Sequence, residues 1–158
     1  MTVGCSSAAI VPAATMFTGE AGGCGNFHVY RFNDKKTLAI SLIVNEKALA
    51  IKEGITEIDL QTAATEVKLE VMQFASPAIE YFCDDVGGDA LPFATWLAVA
   101  GQIHVENTLL VAPHSHGNAT HLISVALMNV QIKNKRTGET TILPLVEIKD
   151  VPVGWSPG

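Results

Sequence analysis

Apolar and polar residues alternate with a period of two along most of the chain. "EVKLEVMQF" is the clearest stretch: Val67, Leu69 and Val71 point one way, and Glu66, Lys68 and Glu70 the other. Successive side chains of a strand face opposite sides, so this pattern predicts a strand with one buried and one wet face. "GNFHVYRF" places Phe27 and Val29 on one face and His28, Tyr30 and Phe32 on the other. "TLAISLIV" follows the polar turn "NDKK", and "AIEYFC" predicts a further strand before the loop "DDVGGDALP". "ATWLAVAGQIHVE" is long for one strand, and Gly101 within it marks a bulge or bend. "THLISVALMNVQIKN" and "TTILPLVEIKDV" flank the polar turn "KRTG" and read as a hairpin.

"NEKALAIKEG" is the ambiguous segment. It has an asparagine N-cap, helix formers and a closing glycine, yet Leu49 and Ile51 alternate and strands flank it. It reads as a loop with a short strand. Helical patterns do not alternate with the strands, which argues against a parallel α/β sheet. Seven to nine short strands instead predict an all-β, antiparallel β-sandwich, immunoglobulin-like or related, with a closed barrel as the competing arrangement. The expected division is a flexible N-terminal tether over residues 1–20 and one sandwich domain over 21–158.

Composition narrows the classes of partner. The 158 residues are 48% hydrophobic and 16% charged, enough apolar surface for a core. The formal net charge is -6, and the only basic cluster, Lys133, Lys135 and Arg136, lies in the predicted turn. A nucleic-acid partner is not expected, because phosphate binding needs clustered cations. No apolar run approaches the roughly 18 residues of a membrane span.

Three cysteines leave one over in any pairing. Cys24 and Cys83 border alternating runs and are expected to form a disulfide, given an oxidising compartment; the alternative is two buried free thiols. Cys5 follows "TVG" and precedes small residues. "TVGC" resembles the end of a bacterial lipoprotein signal, although Thr2 stands where that pattern prefers leucine. The expectation is lipid attachment at Cys5, with the opening residues as the stub of a removed leader.

"GGCGNFHVYRFN", "YFCDDVGGD" and "NVQIKNKRTGETTILPLVEIKDVPVGW" resemble segments of small uncharacterised β-sandwich lipoproteins of bacterial envelopes, over most of residues 20–156. The resemblance implies an immunoglobulin-like or related sandwich and an exported location. It brings no catalytic residues.

Candidate chemistry centres on histidine. "APHSHGNATH" contains His114, His116 and His121, with His104 upstream. His114 and His116 share a face in an extended chain, and such a pair can grip Zn²⁺ or Cu²⁺. If 101–106 and 119–125 are antiparallel neighbours, His104 and His121 meet across the ladder; the alternative is a solvated polar loop. Asp84, Asp85 and Asp89, with Glu80 before them, offer oxygens to Ca²⁺ but lack the alternating spacing of an EF-hand loop. G-x-S-x-G does not occur, and Ser76, Ser115 and Ser124 have no evident catalytic partner. Tyr30, Phe32, Trp96 and Trp155 are better placed for core or edge packing than for a carbohydrate platform.

The expected function is a non-enzymatic envelope lipoprotein, structural or binding an unknown protein or envelope component. It would meet the membrane only through its lipid and need no cofactor. A Zn- or Cu-binding protein is the alternative, and a hydrolase of an envelope polymer the weaker one.

Overall fold

In the computed structural model, residues 10–78, 81–83, 91–110 and 119–154 are described. Eight strands form one antiparallel sheet: β1 (Ala21–Cys24), β2 (His28–Phe32), β3 (Leu38–Val44), β4 (Gly54–Asp59), β5 (Val67–Phe74), β6 (Pro92–Leu109), β7 (His121–Asn134) and β8 (Thr140–Val153). The all-β antiparallel expectation holds. The order is β1-β2-β3-β5-β6-β7-β8, with β4 added to the edge of β6. The sheet curls like a half-barrel, giving a sandwich-like fold in which β1 and β2 meet β8. Arg31 Nη1 donates to Glu147 O at 2.8 Å, and a Cβ on Gly23 would strike the Val151 side chain. Among the described residues, no helix is long and apolar enough to cross a membrane.

Two apolar clusters follow from the alternation. The larger fills the concave side with Val29, Leu42, Val71, Ile103, Leu127, Ile148 and the 1%-exposed Trp96. At about 1.5–3 kcal/mol per buried aliphatic or aromatic side chain, this cluster is the main stabilising term. The smaller cluster joins Phe32, Ala39, Met72, Phe74, Ala78 and Phe82 on the opposite face. Val67, Leu69, Val71 and their charged neighbours alternate as expected, but Met72 and Phe74 on the supposedly wet face are buried. The cause is the segment carrying Ala78, Tyr81 and Phe82, which drapes across that face.

"AIEYFC" is therefore not a strand in its described part: Tyr81, Phe82 and Cys83 pair with no ladder. Its apolar residues are buried by draping rather than by sheet pairing. "NEKALAIKEG" forms successive turns, in which Leu49 N donates to Asn45 O and Ala48 N to Asn45 Oδ1; β4 begins only at Gly54. The "NDKK" turn is closed by Asn33 Oδ1, which accepts from the amides of Thr37 and Leu38. The β7–β8 turn is closed in the same way by Asn134 Oδ1, which accepts from Arg136 N and Thr137 N.

Gly101 behaves as anticipated. It has φ +133°, and the β6–β7 register shifts on either side of Ala100. A Cβ there would lie 2.7 Å from Val130 Cα.

The tether boundary needs correction. Residues from Ile10 to Glu20 belong to the domain, because their polar and apolar groups are engaged by it. Ile10 N donates to Gln73 Oε1 at 3.1 Å, Phe17 is buried in the main core, and Gly19 N donates to Phe32 O. Only residues 1–9 of the expected tether remain, and they lie outside the described residues, Cys5 with them.

Candidate functional site

A short hairpin builds the site. β1 and β2 are joined through Gly25, whose φ of +60° suits glycine, Asn26 and Phe27. The turn makes Cys24 and His28 direct cross-strand partners. Alternation then sends Val29 into the main core and His28, Tyr30 and Phe32 to the other face. There the draped segment delivers Phe82 and Cys83. Phe82 stacks on Tyr30 at 4.7 Å between ring centres and meets His28 edge-on at 5.6 Å. Tyr81 bridges Phe74 and Phe82 edge-on.

Cys83 forms the expected disulfide with Cys24, with Cα atoms 5.8 Å apart and a sequence separation of 59. The bond ties the draped segment to the end of β1.

His28 is the chemically distinctive residue. Its Nε2 lies 2.9 Å from Ser41 Oγ on β3, and its Nδ1 lies 3.7 Å from Cys24 Sγ. Burial pushes its pKa below the ordinary histidine value, which favours the neutral ring. The ligand atoms of Cys24, His28 and Cys83 lie within 4.8 Å of one another, a group suited by type to a soft divalent metal. Tyr30 alongside has a raised pKa, from burial first and from the charge of Glu20 second.

His104 and His121 do not meet across the ladder as expected. β6 and β7 are neighbours, but His104 pairs with Ala126, and His121 with Leu109. Five residues of strand separate the two rows, about 17 Å at the usual rise. Sequence spacing alone does not reveal that register. His104 sits instead between carboxylates, with Nδ1 2.5 Å from Glu57 Oε1 and Nε2 3.5 Å from Glu106 Oε1. The hydrogen bond to Glu57 is the largest of the influences that raise its pKa. His121 Nδ1 lies 2.7 Å from Thr120 Oγ1. His114 and His116 lie outside the described residues, as do Glu80, Asp84, Asp85, Asp89, Ser115 and Trp155.

Ser124 is held by Asp150: its hydroxyl accepts from the Asp150 amide at 2.9 Å and lies 3.4 Å from the carboxylate. Trp96 is a core residue and Tyr30 and Phe32 pack under the draped segment, so the three form no exposed platform.

His28 is what sequence reasoning missed. The available signal was the spacing "CGNFH", a cysteine and a histidine facing each other across a Gly-Asn-Phe turn. The histidines are denser downstream, in "APHSHGNATH". No family model, curated protein or solved structure matches the chain.

Proposed function

We propose that the protein is an exported, non-enzymatic module of the bacterial envelope, with a structural or binding role and a lipid anchor at Cys5. The observation that carries this reading is the Cys24–Cys83 disulfide. Disulfides form and persist in oxidising compartments and are rare in the cytosol. The lipid attachment rests on the "TVGC" stretch and the small residues after it. Two or more acyl chains would hold such a domain stably at a membrane, whereas one would do so marginally.

The test is expression from the protein's own gene in a bacterial host, followed by fractionation and mass spectrometry. The expected result is recovery with the envelope, acyl mass on Cys5, and Cys24 and Cys83 resistant to alkylation until reduced. Recovery in the cytoplasm with both thiols open to alkylation overturns the reading.

A further inference from the structure

We infer that Cys24, His28 and Cys83 form a redox-gated binding site for a thiolate-preferring divalent metal, with Zn²⁺ as the reference ion. This goes beyond the envelope role and concerns the purified protein, so it stands or falls independently of location. The site is closed while the two sulfurs are bonded to each other and opens when that bond is reduced.

Geometry is the main argument. Tetrahedral zinc with bonds of about 2.3 Å to sulfur and about 2.0 Å to nitrogen spaces its sulfur and nitrogen ligands about 3.5 Å apart. Cys24 Sγ and His28 Nδ1 already stand 3.7 Å apart. The hairpin ladder fixes that pair, because Cys24 and His28 are cross-strand partners. Cys83 is the third ligand, and its backbone is close enough for its sulfur to swing to the metal distance once freed.

The surroundings suit a ligand. A ligating imidazole usually donates its other N–H to an oriented partner, which fixes the tautomer. Ser41 Oγ occupies that position at 2.9 Å from Nε2, leaving the Nδ1 lone pair toward the sulfurs. Tyr30 and Phe82 wall the ring. Three protein ligands leave a fourth position for water or a small ligand.

The chemistry balances. A dithiol reductant supplies two electrons and two protons, the Cys24–Cys83 bond breaks to two thiols, and the reductant leaves as its own disulfide. Metal binding then displaces the two thiol protons to solvent. Reoxidation by a disulfide-bearing oxidant reverses both steps and releases the ion.

The experiment uses Co²⁺ as a spectroscopic stand-in for Zn²⁺, on the full chain carrying Cys5→Ser so that only the two site cysteines remain. The phosphine-reduced protein is expected to bind one Co²⁺ with a thiolate-to-cobalt charge-transfer band that Zn²⁺ abolishes. The oxidised protein should give no band. His28→Ala should weaken binding at least tenfold and change the ligand-field spectrum. Ser41→Ala, which removes only the orienting partner, should weaken it by about 10–100-fold with the spectrum retained. Circular dichroism follows the sheet throughout; if reduction unfolds it, stoichiometric metal should refold it. Absence of the band in reduced protein, or an unchanged affinity and spectrum in His28→Ala, overturns the inference.

Discussion

Replacing both site cysteines by alanine removes the covalent tie between β1 and the draped segment. The magnitude follows from the length of chain the bond closes. With a sequence separation of 59 between partners, the chain-entropy relation gives about 4 kcal/mol of destabilisation at 25 °C. Urea unfolding followed by tryptophan fluorescence measures it, because Trp96 is 1% exposed and reports on the main core. With a slope of about 2 kcal/mol/M, the midpoint should fall by about 2 M urea. Wild type in reductant without metal should follow the same curve. The packing of Phe82 on Tyr30 is left in place, so the loss should come from the freed unfolded chain rather than from the native contacts. A midpoint shift below about 0.5 M would refute the reasoning, since it would mean that the bond scarcely restricts the unfolded chain.

Three further outcomes are expected. Gly101→Ala forces a Cβ against Val130 Cα at φ +133°; it should cost about 2 kcal/mol and lower Tm by roughly 5 °C in calorimetry. Asn134→Ala removes the acceptor that closes the β7–β8 turn; a loss of about 1–2 kcal/mol in urea unfolding is expected. His104 has a raised folded pKa, so its stabilising contribution is complete below the unfolded value of about 6.5 and fades as pH rises through the folded value. Glu57→Gln should bring the His104 titration, followed by NMR, down toward that unfolded value, and an unchanged titration would discard Glu57 as the cause.

How much of this was legible in the sequence depends on which force set each residue's place. Val67, Leu69 and Val71 announced β5 because burial on one face leaves a period-two trace. The polar stretches "NDKK" and "KRTG" announced turns, and Gly101 a bulge, through the local preferences of their residues. Met72 and Phe74 misled, because the alternation shows which face a residue takes and not what later covers that face. Tyr81 and Phe82 look like strand residues for the same reason: draping over an apolar surface selects the apolar side chains that pairing does. The separation of His104 from His121 depends on the β6–β7 register, and register has no local signature when both faces carry mixed residues. Cys24 and Cys83 could be paired from the alternating runs they border, but the place of His28 beside them needed the hairpin.

β6 lends a single edge to two strands in turn. β5 takes it from Pro92 to Leu97, and β4 takes it from Gln102 to Asn107, beyond Gly101. The chain between Phe74 and Pro92 is much shorter than that between Asp59 and Gln102, so loop closure favours β5 as the first arrival. β4 must then find the vacant remainder, although it was synthesised earlier. Loop closure alone therefore favours an assembly order opposite to chain order along this edge, and the bulge at Gly101 marks where one strand's pairing stops and the next begins.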